Sequence, residues 1–356
     1  MSDSDQFENT SNDSPSMDTV ADEADPNQDD DFNAGSDALE VIHAEFAIPL
    51  DLAEKRLDQA VAAFMPEHSR GRIQGWIKSG ALTLNGAAAK AKDKVIVNDK
   101  VAIRAEIEGL ERWSPEAIPL DIVFEDEHIL VVNKPVGLVV HPAAGHPRGT
   151  LVNALLHHCP EVDKLPRAGI VHRLDKDTSG LMVVAKSLIA HTSLVNQLQD
   201  RSMGREYEAI ACGMMTGGGT VHEPISRHPH NRLKMAVHPT GKDAVTHYRV
   251  LEKFAAFTHI HCKLETGRTH QIRVHLAHIH HPLVGDPIYG GRLKLPSGAN
   301  EEITTLLRSF TRQALHARRL QLIHPASQEL LYWEVDLPDD MLQLLEGIRK
   351  FDAQRG

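Results

Sequence analysis

Cysteine is scarce. Cys159, Cys212 and Cys262 are the only three in 356 residues, widely spaced and without a CxxC pair, which argues against a disulfide framework or a cysteine zinc cluster and suits a reducing cytoplasm. No run approaches the roughly twenty apolar residues a membrane span needs, and the first residues lack the basic-then-apolar order of a secretion leader. The expectation is a soluble cytoplasmic protein with no membrane partner. There is no Walker A loop, since "HPTGKDAV" (238–245) lacks its spacing and its Ser/Thr, and no GxGxxG turn. There is also no HExxH and no HxE followed by PCxxC, so nucleotide hydrolysis, dinucleotide chemistry and zinc-dependent hydrolysis have no motif here. No cofactor and no metal are expected. The histidine-rich "HLAHIHHP" (275–282) lacks carboxylates at ligand spacing, so His275 and His278 are read as hydrogen-bonding or RNA-facing groups.

Basic residues are missing from one place. Residues 1–38 hold twelve acids (ten Asp, two Glu) and no Lys or Arg, so the chain's net charge of −11 becomes −11 + 12 = +1 without them. Rich in Asp, Ser and Asn, the stretch 1–45 cannot bury enough apolar surface to offset ordering entropy and is expected to be a disordered acidic tail.

Beyond the tail, apolar residues recur at regular spacing. "AIPLDLAEKRLDQAVAAFMP" (47–66) has Leu52, Leu57, Val61 and Phe64 at helical spacing before a terminating Pro66. A second helix is expected after Ser69 as N-cap, with Ile73, Trp76 and Ile77 inward and Gly80 closing it. "ALTLNG" reads as a strand ending in an Asn-Gly turn, and "KVIVNDKVAI" as a further strand with its own turn. Ten Lys/Arg against four acids between 55 and 104 suit a phosphate backbone, though a solvated helical face gives similar numbers. The pattern "RLDQAVAAF…SRGRIQGWIKSGALTLNG" resembles the S4 RNA-binding domain. That resemblance implies an RNA-binding module over 46–106, with Arg56, Ser69, Arg70, Arg72, Lys78, Asn85 and Gly86 on the motif.

Residues 107–118 are polar and proline-containing and read as a linker. From 119 to 350, strands are expected at 121–135, 180–186, 205–213, 244–254 and 258–267, and helices at 150–158, 188–200, 269–280 and 338–350. Hairpin-like pairs without βαβ repeats predict an α+β domain on a mixed, largely antiparallel sheet flanked by helices.

Within it, "AGIVHRLDKDTSGL" (168–181) crosses a corner between strands and carries Asp175 and Asp177 among Arg173 and Lys176. The cations hold a carboxylate ionised, as a nucleophile requires. In an extended segment the two acids share a side, about 6–7 Å apart, which is also a glycosidase-like spacing. A salt-bridged hairpin tip accounts for the same residues. In "TGRTHQIRVHL" (266–276), a helix from about Thr269 buries Ile272, Leu276 and Ile279 and places Arg268, Gln271 and His275 on another face, with Arg268 able to reach back to a carboxylate. An ordinary basic helix start reads the same. "REYEAI" (205–210) puts Tyr207, one of four tyrosines, on a strand as either a base-stacking platform or a core residue.

Together these segments, with "VVNKPVGLVVHP" (131–142) and "LETGRTHQIRVHLAHIHHPLVGDPIYGG", resemble the RluA-type pseudouridine synthases over about 47–350. The resemblance implies an isomerase that detaches a uridine base from C1′, turns it and reattaches it through C5, without cofactor or metal. It implies Asp175 as catalyst, Arg268 pairing with it, Tyr207 stacking on the uracil and assisting the proton lost from C5, and Arg173 filling the space of a flipped-out uridine. Asp177 then becomes a scaffold residue bonding the corner's own amides. The implied partner is large-subunit ribosomal RNA or its precursor particle, bound by a monomer. A noncatalytic RNA-binding protein and an RNA N-glycosidase are the competing readings.

Overall fold

The computed structural model describes residues 40–65, 70–107, 113–142, 147–231 and 234–355. Residues 1–39 of the expected tail, Ser69 with its capping role, and 108–112 of the expected linker lie outside them.

The first unit is a four-stranded sheet with two helices: β1 (Glu40–Ala47), α1 (Leu57–Phe64), α2 (Arg70–Ser79), β2 (Leu82–Leu84), β3 (Ala87–Ala88) and β4 (Lys100–Ile107), in strand order β1-β4-β2-β3. The tail expectation therefore ran too far. Glu40–Ala47 pairs antiparallel with all of β4, because Ile42, Ala44 and Phe46 alternate inward onto the unit's core while His43 and Glu45 face out. The Asn-Gly turn is as expected, Asn85 and Gly86 both taking positive φ (52° and 77°) between β2 and β3. The strand expected from Lys94 begins only at Lys100.

The second unit begins earlier than 119. Trp113 packs against its core, Asn153 Nδ2 donates to Ser114 O at 2.8 Å, and Glu116 N–H donates to Asn153 O at 2.9 Å. So the end of the expected linker is pinned down. The unit comprises β5 (Ile122–Glu125), β6 (Ile129–Lys134), α3 (Leu151–His158), β7 (Ser179–Ala185), α4 (Leu188–Gln199), β8 (Gly204–Cys212) and β9 (Gly219–His222). It continues with β10 (Ile225–Arg227), β11 (Met235–Val237), β12 (Val245–Lys253), β13 (Phe257–Leu264), α5 (Gln271–His278), α6 (Glu301–Ser309), β14 (Leu315–Ile323), β15 (Leu330–Glu334) and α7 (Asp339–Ala353). Nine strands form a mixed sheet in the order β5-β6-β7-β14-β8-β13-β12-β9, with β15 also on β14. Among the described strand pairs only β7 and β14 run parallel, through His316–Ser179 and Ala317–Gly180.

Both faces of the sheet's centre are covered. Leu130, Val132, Met182 and Val184 point into one core and Ile129, Val131, Leu181 and Val183 into the other, so β6 and β7 read as unbroken apolar runs. Gly180 marks the parallel junction. Its φ is +113°, and a Cβ there would lie 2.2 Å from Ala317 O.

Candidate active site

The segment 168–181 is set in place from several directions. Arg167, Ala168 and Gly169 turn through successive positive φ angles of 52°, 50° and 79°, after which Ile170 bridges to Val184 of β7. The chain turns again at 175–178, where Thr178 N–H donates to Asp175 O at 3.1 Å. Lys134, at the end of β6, is buried and donates from Nζ to the carbonyls of Pro135, Leu138 and Lys176 at 2.8–2.9 Å. Burial lowers that ammonium to about 7 against the upward pull of Asp175 and Asp177. Arg312 Nη1 reaches Asp177 O at 3.3 Å. Two distant parts of the sequence thus hold one turn.

Because 175–178 is a turn and not an extended run, the two acids part company. Asp175 lines a cleft of about 910 Å³, and Asp177 is not among its lining residues. The paired-carboxylate geometry is not formed. Nor does the Asp177 side chain bond the corner's amides among the described contacts; its backbone carbonyl, held by Arg312, is the part that fixes the corner.

Asp175 Oδ2 accepts from Arg273 Nη1 at 2.8 Å. The same guanidinium is clamped on its other edge by Asp286, through Nε to Oδ2 at 2.7 Å and Nη2 to Oδ1 at 3.0 Å. Asp286 Oδ1 in turn accepts from the amides of Ile288 and Tyr289. His270 Nε2 lies 3.9 Å from Asp175 Oδ1. Burial raises the Asp175 pKa, but His270, Arg273 and Arg173 outweigh it, leaving the carboxyl below its usual range and ionised.

The expected partner was a different arginine. Arg268 donates from Nε to Asp243 O at 3.0 Å and lines the cleft without pairing with Asp175. Helix α5 starts at Gln271, after His270 in a left-handed conformation (φ 54°). Gln271 is itself fixed by Thr266 Oγ1 and the Arg268 amide on its Oε1 and by Val245 O on its Nε2. This later start gives the helix a phase in which Arg273, not Arg268, meets the turn. Gln271 and His275, expected on a separate face, are buried with Ile272 and Leu276. Asp286, His270 and Tyr289 were missed, although "GDPIY" supplied a signal: an acid followed by turn-forming residues next to a basic helix.

Tyr207 sits on the central strand β8 between Cys262 of β13 and Ala317 of β14. It is both buried and part of the cleft wall. Burial pushes its hydroxyl up to about 12, with Arg205 opposing, which makes it a neutral phenol and a poor base. Arg173 lines the same cleft. So do Arg167, Arg201, Arg205, Arg227, Lys242, Arg268 and Arg273, against only Asp175 and Glu265 as acids.

In the first unit, Arg56 and Arg70 both donate to the buried Asp58, at 3.0 and 2.8 Å, and Gln74 Nε2 joins them at 2.6 Å. Both arginine side chains remain about half exposed. Burial raises the Asp58 pKa, but these bonds overcome it and the net shift is downward. Lys78 is exposed and Arg72 lies within α2. The Asn85 amide donates to Asp99 and accepts from Lys100 N–H, both at 2.8 Å. It closes the turn.

His275 bonds Thr246 Oγ1 and Glu223 O, each at 2.9 Å. Among the described residues, metal-ligating types gather only at Glu125, His158 and Cys159, where Lys186 Nζ already lies 2.7 Å from the carboxylate.

Residues 128–278 match the family described as RNA pseudouridylate synthase. The ribosomal large subunit pseudouridine synthase D of Pseudomonas aeruginosa is 57% identical over 311 residues, covering 87% of this chain and 97% of that protein. The protein of the same description from Escherichia coli K12 is 58% identical over 296 residues, covering 83% and 91%. The human RNA pseudouridylate synthase domain containing 4 structure aligns with a TM-score of 0.50 and 27% identity, covering 64% and 92%. The chain belongs to the RNA pseudouridylate synthase family. It is an enzyme of the isomerase class. The Asp175 turn, the Tyr207 strand and the Arg273 helix all fall inside the matched span, and Asp286 with Tyr289 just beyond it. No helix among the described residues is long and apolar enough to cross a membrane.

Proposed function

We propose that this protein isomerises specific uridines of large-subunit ribosomal RNA to pseudouridine, and so supports maturation of that subunit. The carrying observation is one ionised carboxylate, Asp175, set in a cleft whose charged lining is mostly cationic and braced by an Arg273–Asp286 clamp. A cationic wall attracts a phosphate backbone, and an ionised acid inside it serves a base extruded from the stack. Asp175 acts either by attacking C1′ or by removing the 2′ proton. Tyr207 stacks on the uracil, and Arg173 occupies the space the flipped nucleotide leaves. Extrusion costs a few kcal/mol, less in a loop than in a stem.

The first unit acts as an S4-type RNA clamp. Arg56 and Arg70, aimed by Asp58, and the exposed Lys78 offer cations to phosphates, and Arg72 falls on the same motif. The Pseudomonas aeruginosa and Escherichia coli relatives are described as ribosomal large subunit enzymes, which supports large-subunit RNA, and within it the helix 69 stem-loop, as the substrate. Chemical mapping of pseudouridine in ribosomal RNA from cells lacking the protein tests this. Missing sites, restored by the wild-type gene and not by Asp175→Asn, are expected; an unchanged map overturns the assignment.

A further inference from the structure

We propose that His270 and Tyr289 form a proton relay behind Asp175. The relay rests on the isomerase reading and deepens it. Moving a uracil from N1 to C5 attachment leaves one proton to account for: C5 loses it and N1 gains one. Tyr207, a neutral phenol with its pKa near 12, is poorly suited to collect it. Asp175 can collect it, and then must pass it on.

The atoms for that step are in place. Arg273 holds Oδ2 at 2.8 Å, whereas Oδ1 faces His270 Nε2 at 3.9 Å. This gap is longer than a hydrogen bond and too short for an intervening water, and such contacts commonly tighten when substrate is bound. On the far side of the ring, His270 Nδ1 and Tyr289 Oη are 2.8 Å apart, and Tyr289 Oη accepts from Met235 N–H at 2.9 Å. A phenol has one proton and two lone pairs. With one lone pair on Met235, it either donates to a bare Nδ1 or accepts from a protonated one. When Nδ1 carries the hydrogen and donates it to Tyr289 Oη, Nε2 of the neutral ring is bare, and the imidazole can take up and release a proton there while the bond that fixes the ring persists.

The transfer balances. The O–H bond on Asp175 Oδ1 breaks, an N–H bond forms at Nε2, the carboxylate is restored, and Nδ1–H is donated to Tyr289 Oη. The proton returns to N1 of the turned base or leaves to solvent. Charged and titratable groups beside this imidazole include Asp175 from the turn, Arg273 from α5, whose guanidinium carbon lies 5.2 Å from the Tyr289 ring centroid, and Tyr289. His270 is held with φ 54°, a conformation that glycine adopts without cost. His270 is thus a positioning residue, acting through Asp175.

The test is His270→Gly in the full chain, with single-turnover isomerisation of large-subunit RNA as readout and substituted imidazoles of graded basicity added back. Glycine suits the backbone and leaves an imidazole-sized space. The expected result is a fall in kcat of roughly 10²–10⁴-fold, the range for positioned proton transfer, with KM changed by less than about threefold, and rescue that tracks the basicity of the added ring. His270→Gln, which keeps an N–H donor but cannot take up and pass on a proton, should be as slow as the glycine variant. Equal rescue by thiazole, which fills the space without comparable basicity, overturns the relay, as does a His270→Gln enzyme within about threefold of wild type. Absence of product from the wild-type enzyme overturns the isomerase reading itself, and the relay with it.

Discussion

At the scale of single residues, the site is asymmetric. Asp175 faces the cleft and Asp177 serves through its backbone, so Asp175→Asn should cut isomerisation roughly 10³-fold or more while RNA binding, measured by filter retention, is unchanged. Asp177→Asn should turn over normally. Asp286 is wholly buried beneath Arg273; Asp286→Ala leaves that guanidinium with Asp175 as its remaining carboxylate and should cost stability toward the lower end of about 3–5 kcal/mol, seen as a lowered Tm. That Asp175 and Tyr207 line the cleft was legible from short segments that resemble the family, whereas their local patterns alone left other readings open. Arg273 was not, since choosing between it and Arg268 depends on where α5 starts. Its start is fixed by Gln271 bonding Val245 and Thr246, contacts that no local spacing discloses.

Elements obey the same division between local and distant causes. The two core strands β6 and β7, the Asn-Gly hairpin and most helices follow from apolar runs and turn chemistry. β14 and β15 escaped notice because Arg318 and Arg319 interrupt β14 where a register shift between Ala317 and Arg319 breaks the alternation. α6 lies in a polar stretch and was equally hidden. Gly180→Ala should destabilise by about 3–5 kcal/mol, at the upper end for single substitutions, because the new Cβ meets the backbone of β14 and not a yielding side chain. Denaturant titration reads this directly. In the first unit, Asp58→Ala should release Arg56, Arg70 and Gln74 and weaken RNA binding without altering kcat on saturating RNA, measured by affinity and rate on the same preparation.

The whole molecule should lose stability in acid in two stages. His141 and His172, lowered by burial to about 3, and His316, to about 4, are kept neutral. The unfolded chain protonates them near 6.5, so their contribution falls as pH drops below that value. Glu125 is raised by burial, but its bonds to Lys186 and His158 prevail and hold it at about 2. Its contribution is complete above the ordinary 4.5 and disappears as pH approaches 2. Tm measured from pH 8 to pH 3 should therefore decline from about pH 6.5 and steepen below about 4.5. Deleting residues 1–38 removes twelve negative charges. RNA affinity should rise at low salt and converge with the full chain at high salt; identical salt slopes would show that the segment does not compete.

The parallel junction between β7 and β14 also sets an order of events during synthesis. The Asp175 turn feeds directly into Ser179 and Gly180, whose partners His316 and Ala317 lie 137 residues downstream, and Arg312 reaches Asp177 across 135. A growing chain that has already exposed Asp175, Tyr207 and Arg273 still lacks the strand that seats them. Closure over such separations is slow compared with local hairpins. A ribosome making this enzyme therefore releases it nearly whole before it can act, so a nascent chain arrested before Leu315 has left the exit tunnel should hold Asp175, Tyr207 and Arg273 and modify no RNA.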